Sequence, residues 1–400
     1  MAHCTHMRII FYCQEESPAN IDNYLQLGAS GTVSALMLVS AGLTRLGHEV
    51  WVLNRSASGV YQGTRHLRSR SPAEAQANLS AIGGGDVFVA NGFAAEIFLN
   101  HDIAAGKRIY WSHNFIDHKP YERAIEQGRL DYVFCISRNQ LSTWWRSPAV
   151  ARTTNIHNGV DVEAIAPFRN GGVLENKIMF IGAPRASKGF HDAVRIFNAF
   201  RARNPGYQLF VAGSADLHGN VAPLGKSGIF EQEYEDRYLN EVLYAADGSL
   251  RAGIVLMGKV TRAEILAHLS TTRLALQNPS WTSQPEVHSI AALEIQAMGV
   301  PVVSNFRGGQ PEVVRDGRTG ILVKTRNDGG VVRAMEAITR DPKRRAAFSR
   351  NAVSYVETNF GKDKIARDWD EKLRWVAAGR DFRFNRGRAL LGKIRHRLHI

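Results

Sequence analysis

Short runs of apolar residues alternate with amphipathic segments along the first part of the chain. The run MRIIFYC begins at Met7, and the run HEVWVL follows a segment in which Val33, Leu36 and Met37 recur at the spacing of one helix face. Gly47 stands where such a helix would end. This order of strand, helix and strand predicts a βαβ unit. Further buried parallel strands are predicted at 86–90, 108–112 and 131–137.

A second series of the same kind occupies the other half of the chain. Lys188 and Gly189 precede a segment with Phe197 and Phe200 on one helical side, and Thr261-Arg262-Ala263-Glu264 has the spacing of a capping box. The runs that predict strands lie at 177–182, 208–213, 253–258, 274–278, 300–304 and 320–323.

These two series predict two Rossmann-like α/β domains without an internal sequence repeat. A polar stretch rich in Gly and Asn, 167–176, lies between them. We predict an N-terminal domain at 7–165 and a C-terminal domain at 166–365. A helix and basic tail at 366–400 are expected to return toward the N-terminal domain. Residues 1–6 are treated as a leader.

Composition narrows the class of protein. Hydrophobic residues make up 44% of the 400 residues, which excludes a disordered or fibrous chain. No apolar stretch suits a membrane span and no signal-peptide pattern is present. Cys4, Cys13 and Cys135 lie too far apart for a disulfide framework, so we expect a cytoplasmic protein. The formal net charge of +13 predicts an anionic partner such as phosphates, nucleic acid or an acidic membrane surface.

The first βα loop, Gly28-Ala29-Ser30-Gly31, precedes the first helix. Its glycines would let helix N–H groups approach a phosphate, and an ordinary tight turn is the alternative for Gly31. The spacing is not G-x-G-x-x-G, and the second strand runs into Asn54 instead of an acidic residue, which argues against a nicotinamide-dependent oxidoreductase. The sequence also lacks a phosphate-binding P-loop motif and a G-x-S-x-G elbow.

Two carboxylates flank the start of a predicted helix in the second half. Pro285 and Ser289 place Glu286 in a loop, whereas Glu294 lies within the helix. A loop carboxylate can meet a sugar, the helix N–H groups can meet a phosphate, and a carboxylate inside can bind ribose hydroxyls. The two residues can therefore flank one ligand. For Glu294, a solvated helix carboxylate is the alternative.

Motifs along nearly the whole chain from Met7 resemble those of one family. In order they are GHEV, YWSHN, CIS, HNGVD, FIG followed by KG, VAGS, NPSW, an E-x7-E element ending in AMGVPVV, and GGQPEVVRDGRTGILV. The chain is thereby similar to the retaining nucleotide-sugar glycosyltransferases of GT-B fold, group 1, also called family 4. The resemblance implies an α/β GT-B fold, in which two Rossmann-like domains with parallel sheets face an interdomain cleft.

The resemblance also implies roles for single residues. Glu286 is expected near the transferred sugar as a catalytic residue, Glu294 at the nucleotide ribose, and Lys188 at the donor diphosphate. His113, just past a buried strand, is expected to face the donor sugar as a second catalytic residue. A satisfied polar cap at the strand end is the alternative for His113.

Three positions depart from the family pattern. Ala183 stands where the family has an arginine, so Arg185 is predicted to replace it, with a solvent-facing cation as the alternative. His288 and Ser289 replace an aromatic residue and a glycine, which alters the sugar pocket. The predicted donor-binding residues are Gly31, Arg185, Lys188, His288, Ser289, Ile290 and Glu294.

Asp368-Trp369-Asp370 has the D-x-D letters of metal-dependent glycosyltransferases. Residues two apart on a helix point in nearly opposite directions, and Ile365, Trp369 and Leu373 predict an amphipathic helix here. We therefore predict no metal site and a metal-independent reaction.

The predicted function is that of a retaining hexosyltransferase. It would move a sugar from a nucleoside diphosphate sugar to a hydroxyl acceptor in polysaccharide, lipopolysaccharide or glycolipid synthesis. No cofactor is expected. A UDP-sugar is favoured as donor over a GDP-sugar, and a carbohydrate or lipid-linked acceptor is expected at the N-terminal half, near the loops at 14–28 and 54–71. The alternatives are a nucleotide-sugar-binding protein without transfer activity and a basic nucleic-acid-binding protein, although nucleic acid is not an expected partner.

The tail from Arg380 to Ile400 holds seven Arg and Lys residues against one Asp, a net +6. Leu390, Leu391 and Ile394 recur at helical spacing. A basic amphipathic helix of this kind suits an anionic bilayer surface and predicts a peripheral position on the inner face of the plasma membrane. The alternative is a helix packed across the domains with solvated arginines.

Overall fold

The computed structural model describes residues 6–17, 19–27, 29–92, 95–169, 172–215 and 223–382. Contacts divide this part of the chain into two compact units. The first unit contains the described residues up to Val160 together with those from Phe360 onward, and the second unit is Asp161–Asn359.

The first unit is built on one sheet of eight described strands. Their order across the sheet is β3-β4-β2-β1-β5-β6-β7-β8, and all neighbours are parallel except β3 and β4. Central positions such as Ile9, Val50 and Val87 pair across β2, β1 and β5 and are buried. The strands are β1 Arg8–Cys13, β2 Glu49–Asn54, β3 Gly59–Tyr61, β4 Thr64–Arg68, β5 Gly85–Asn91, β6 Ala105–Ser112, β7 Tyr132–Cys135 and β8 Thr153–Asn155.

Helices connect these strands and cover the sheet. The second helix begins where Ser30 caps it by accepting a hydrogen bond from the Val33 N–H, and it ends before Gly47, whose φ is +91°. The predicted βαβ unit is therefore confirmed. The helices are α1 Tyr24–Leu27, α2 Gly31–Arg45, α3 Pro72–Ala81, α4 Ala95–Asn100, α5 Lys119–Glu126 and α6 Arg138–Leu141.

The segment 54–71, which we expected to be a loop, contains a β-hairpin. The strands β3 and β4 pair antiparallel and are joined at Gln62 and Gly63, whose φ angles are +45° and +79°. Two consecutive residues with positive φ suit a tight hairpin turn. The prediction of a loop is wrong because the alternating residues of β4, TRHLR, are polar instead of apolar.

The C-terminal helix, Lys362–Ala377, packs within the first unit. The Trp369 ring is fully buried and lies 4.7 Å from the Trp111 ring, measured between ring centroids. Asp370 contacts Arg374 Nε at 2.9 Å, and Asp368 contacts Lys364 Nζ at 2.5 Å. The D-x-D letters therefore belong to an amphipathic helix whose two aspartates form ion pairs.

The second unit is built on a sheet of six described strands, all parallel, in the order β11-β10-β9-β12-β13-β14. Its core lies between this sheet and its helices and includes Phe180, Phe190 and Phe197. The strands are β9 Lys177–Ile181, β10 Gln208–Ala212, β11 Ile254–Gly258, β12 Leu274–Leu276, β13 Val302–Asn305 and β14 Gly320–Val323. The helices are α7 Val162–Ile165, α8 Phe190–Arg201, α9 Gln232–Tyr234, α10 Asn240–Leu243, α11 Arg262–Ser270, α12 Ile290–Ala297, α13 Gln310–Val313, α14 Asp328–Thr339 and α15 Pro342–Phe360.

The described chain ends against the first unit. The Phe382 N–H donates to the Ala151 carbonyl at 2.8 Å, and Asp381 contacts Arg152 Nε at 2.7 Å. The predicted basic amphipathic segment at 383–400 lies outside the described residues. Within the described ranges, every helix is too short or too polar to cross a bilayer.

Candidate functional site

The predicted donor residues of the second unit lie at the carboxyl edge of its sheet. Lys188 ends a 3₁₀ turn, Ala186–Lys188, between β9 and α8. Glu286 lies in the loop between β12 and α12, and Glu294 lies within α12. The strands β9 and β12 are parallel neighbours, so the loops that follow them leave the sheet at the same edge.

Lys188 and Glu286 form an ion pair. The distance from Lys188 Nζ to Glu286 Oε1 is 2.6 Å, and the two side chains are 42% and 15% exposed. Two residues that the resemblance places around one donor are thus in direct contact. The lysine remains accessible enough for an anionic ligand to reach it.

Three glycines near this contact let backbone segments approach each other closely. Gly189 has a φ of +63°, and a Cβ there would overlap the side chain of Ser280 in the loop after β12. Gly182 and Gly213 follow directly after β9 and β10, and a Cβ on Gly213 would overlap the Gly182 carbonyl. The backbone after β9 therefore lies directly against its neighbours at this edge.

Gly308 and Gly309 hold the backbone of Glu286. The Gly309 N–H donates to the Glu286 carbonyl at 2.7 Å. A Cβ on Gly309 would overlap the Val287 carbonyl, and one on Gly308 would overlap the Glu286 carbonyl. Sequence reasoning quoted these glycines within a motif without assigning them a role, although an adjacent glycine pair is a signal of close backbone approach.

Glu294 forms an ion pair with Arg262, the first residue of α11. The two side chains are only 11% and 10% exposed. Glu294 is therefore not a solvated helix carboxylate. Sequence reasoning missed Arg262 as its partner, because no periodicity connects residues on two separate helices.

Arg185 is also held by its surroundings. Its guanidinium donates to the Ala215 carbonyl and lies 3.2 Å from Glu231 Oε1. The side chain is 26% exposed, so it is not a freely solvated cation. Glu231 also lines an open cavity of about 610 Å³ together with Glu233, Asp236 and Arg237. Three carboxylates against one arginine make this cavity unsuitable for a diphosphate.

The residues His288, Ser289 and Ile290 are buried where α12 begins. Ser289 is the N-cap, since its hydroxyl accepts a hydrogen bond from the Ala292 N–H at 3.1 Å. Serine at the position where the family has glycine thus stabilises the helix locally. A donor contact by these three residues stays a prediction.

His113 lies just after β6 in the first unit and is buried. Its ring centroid is 4.5 Å from that of Trp111, and its Nε2 atom has no hydrogen-bond partner within the described ranges. Burial lowers the pKa of His113 to about 3, so the imidazole is neutral near pH 7. A buried imidazole with an unpaired nitrogen can donate a hydrogen bond to a ligand or accept one from it.

Gly31 is the first residue of α2, whereas the sequence places it in the loop just before the helix. The N-cap residue Ser30 donates its hydroxyl to Glu15 Oε2 at 2.5 Å. A carboxylate thus already lies beside this helix N-terminus, where an anion is electrostatically favoured. A phosphate contact at Gly31 stays a prediction. A phosphate bound there would lie close to the negative charge of Glu15.

Three cations at the carboxyl edge of the second sheet therefore contact carboxylates. The pairs are Lys188–Glu286, Arg185–Glu231 and Arg262–Glu294. A diphosphate is a stronger acceptor than one carboxylate, because it carries more charge and more oxygens. Such a ligand can compete for these cations, while the carboxylates become available to hydroxyl groups.

The sequence in this region matches a known family. The description "Glycosyl transferases group 1" fits residues 168–354, which include all three ion pairs. This region belongs to the group 1 glycosyl transferases. The chain is 27% identical over 232 residues to the glycogen synthase of Mycobacterium tuberculosis (strain CDC 1551 / Oshkosh), an alignment that covers 58% of this chain and 50% of that protein. The chain thus spans about half the length of this curated relative.

Solved glycosyltransferase structures have the same fold. Sucrose-phosphate synthase from Thermosynechococcus elongatus superposes with a TM-score of 0.71 at 16% identity and covers 93% of this chain and 100% of its own. The Anabaena protein HepE, solved in complex with UDP-glucose, superposes with a TM-score of 0.66 at 16% identity and covers 92% and 100%. The predicted α/β GT-B fold class is confirmed.

No cluster of three or more His, Cys, Asp or Glu side chains suited to a metal ion occurs in the described part of this protein. Cys13 and Cys135 are buried and unbridged, and burial raises the pKa of the Cys13 thiol to about 12. The two thiols are therefore protonated and are poor metal ligands or nucleophiles at neutral pH.

Replacing Gly309 by alanine is expected to displace the backbone of Glu286. The new Cβ would overlap the Val287 carbonyl, so we expect a loss of about 1–3 kcal/mol in the free energy of unfolding and a lower turnover. Urea unfolding and transfer assays measure the two effects. Gly329→Ala in α14 is the matched control, because its Cβ finds only ordinary contacts; equal behaviour of the two variants would contradict the argument.

His113 is expected to make the protein sensitive to acid. Its pKa rises from about 3 to 6.5 on unfolding, so between these values the unfolded state binds more protons and stability falls as the pH falls. Thermal unfolding measured from about pH 8 to about pH 5 should show a smaller decrease in Tm for His113→Gln than for the wild type. Parallel curves for the two proteins would show that the imidazole is not buried in neutral form.

Proposed function

We propose that this protein is a retaining, metal-independent glycosyltransferase that moves a hexose from a nucleoside diphosphate sugar to a hydroxyl acceptor. The observation that carries the proposal is the arrangement of Lys188, Glu286 and the Arg262–Glu294 pair at one edge of a parallel sheet, within the region matched by the group 1 family. Retention is supported by the resemblance to the family alone.

The donor would bind mainly to the second unit. A UDP-sugar is our first choice and a GDP-sugar the alternative; the bound UDP-glucose in the similarly folded HepE supports UDP. Lys188 would meet the diphosphate, Arg185 would contribute a second cation, and Glu294 would accept hydrogen bonds from ribose hydroxyls. His288, Ser289 and Ile290 would shape the sugar pocket at the start of α12.

In the transfer step, the acceptor oxygen bonds to the anomeric carbon as the bond from that carbon to the diphosphate oxygen breaks. The O–H bond of the acceptor breaks, and its proton passes to the phosphate oxygen that leaves the anomeric carbon. Negative charge gathers on this leaving group, and a fixed cation at Lys188 stabilises it without rearranging solvent. This electrostatic contribution removes the need for a divalent ion, so no metal takes part in the proposal.

Glu286 and His113 would act at the sugar. Once Lys188 engages the diphosphate, Glu286 Oε1 becomes free to accept a hydrogen bond from a sugar hydroxyl. The neutral imidazole of His113 would donate a hydrogen bond near the anomeric centre. Both contacts strengthen catalysis only if they are tighter in the transition state than in the bound substrate.

The acceptor would be a carbohydrate or a lipid-linked sugar bound by the first unit, in the synthesis of a polysaccharide, lipopolysaccharide or glycolipid. Similarity to a glycogen synthase supports a saccharide acceptor. We place the enzyme in the cytoplasm and, through its basic tail, at the inner face of the plasma membrane. The net charge of +6 over Arg380–Ile400 supports attraction to anionic lipids.

Variants of the three central residues test the transfer reaction. Glu286→Gln should lower kcat by about a hundredfold without weakening UDP binding, since it removes a sugar contact and also releases Lys188. Lys188→Ala and Glu294→Ala should weaken UDP binding about tenfold, because each loses a charged contact to the carrier nucleotide. Donor turnover and calorimetric titration with UDP separate the two effects.

Glu336→Gln is the control for these variants, because Glu336 pairs with Arg340 on α14 outside the proposed site. Normal turnover and affinity in all three site variants would contradict the site. Nucleotide binding without turnover of any donor would favour the nucleotide-sugar-binding alternative. Activity should persist in EDTA; loss restored by magnesium or manganese would overturn metal independence.

The membrane part of the proposal has its own test. The intact protein should sediment with vesicles containing phosphatidylglycerol and should be released at high salt, because the attraction is electrostatic. The triple variant Arg386→Gln, Arg388→Gln, Lys393→Gln keeps the length of the tail and should lose vesicle binding. Equal binding by the triple variant, or no binding by the wild type at low salt, would remove the membrane claim and leave the transferase assignment intact.

A further inference from the structure

The ion pair between Arg262 and Glu294 joins two helices of the second unit. Arg262 begins α11, and Glu294 lies in the middle of α12 between Leu293 and Ile295, both fully buried. The exposed fractions of the paired side chains are 10% for Arg262 and 11% for Glu294. Removing Arg262 would take a positive charge away from the largely buried Glu294 carboxylate, which costs stability.

The stability of α11 does not explain an arginine at this position. The capping box formed by Thr261 and Glu264 already satisfies N–H groups at the start of the helix. A cation in the first turn of a helix opposes the helix dipole, which favours negative charge there. The contact with Glu294 offsets this unfavourable placement. Arg262 therefore stabilises the Glu294 carboxylate more than it stabilises α11.

Two other cations at this edge, Lys188 and Arg185, have different carboxylate partners. Lys188 contacts Glu286, and Arg185 contacts Glu231. Among the described residues, Arg262 is the cation that forms an ion pair with Glu294. A carboxylate has about four lone-pair sites, so Glu294 can contact a guanidinium and still accept hydrogen bonds from two neighbouring hydroxyl groups.

We propose that Arg262 is the positioning residue for Glu294 and thereby determines the preference of the site for a ribonucleotide over a deoxyribonucleotide. This inference rests on the proposed function, in which Glu294 meets the ribose of the donor. Arg262 fixes the carboxylate so that its remaining lone pairs face the vicinal hydroxyls. A nucleotide that lacks the 2′-hydroxyl leaves one of these acceptor sites without a donor, which weakens binding.

Titration with UDP and with 2′-deoxy-UDP tests the inference. The full-length wild type should bind UDP about tenfold more tightly than 2′-deoxy-UDP. Arg262→Met should reduce this ratio to near one, and Arg262→Lys should restore part of it, because lysine keeps the charge without the planar fork of donors. A merely structural role would weaken both ligands equally and leave the ratio unchanged.

Two further variants complete the test. Arg195→Met is the matched control, since Arg195 forms ion pairs with Asp192 and Asp328 away from the site; its ratio should equal that of the wild type. If Arg262→Met alone does not fold, Arg262→Gln, which keeps a polar side chain beside an intact Glu294, takes its place and should also lower the ratio. If either Arg262 variant keeps the wild-type ratio of UDP to 2′-deoxy-UDP affinity, the inference is wrong and the proposed function is unaffected. The same holds if the wild type binds both nucleotides equally. A wild type that binds no nucleoside diphosphate overturns the proposed function as well.

Discussion

Parallel pairing of the strands β9 to β14 is the constraint on which the rest of the second unit depends. After each parallel strand the chain must return to the starting end of the sheet before the next strand begins. Every loop that follows a strand therefore emerges at the same carboxyl edge. Lys188, Arg262 and Glu286 are far apart in sequence and lie on three such loops or helix starts. The hydrogen-bonding pattern of the backbone thus determines which charges come together, and the glycines at 189 and 309 determine how closely.

Charge pairing then determines what this edge can bind. Three cations and three carboxylates lie there in partly buried pairs, so the formal charges of these six residues balance. A nucleoside diphosphate offers phosphates to the cations and ribose and sugar hydroxyls to the carboxylates. The binding free energy of the nucleotide is the difference between the free energy of the contacts that it forms and that of the ion pairs that it breaks. A ligand with only one of these features would leave buried charges unpaired.

Much of the fold is predictable from the sequence, because buried parallel strands are continuous apolar runs. All six predicted strands of the second half overlap observed strands, and the capping box at Thr261 is present. The hairpin at 59–68 and the short strand Thr153–Asn155 are not predictable in this way, since β3 has only three residues and the other two strands are mainly polar. The contact of Arg262 with Glu294 also left no signal, because it depends on how two helices pack and not on any spacing along the chain.

The central claim is that this edge binds a nucleoside diphosphate by exchanging carboxylate contacts for phosphate and hydroxyl contacts. A crystal structure of the protein with UDP tests it most directly. The account predicts that Lys188 Nζ leaves Glu286, from which it is 2.6 Å away here, and contacts a phosphate oxygen, while Glu294 accepts hydrogen bonds from the ribose. UDP bound elsewhere, with the Lys188–Glu286 contact unchanged, would contradict the account.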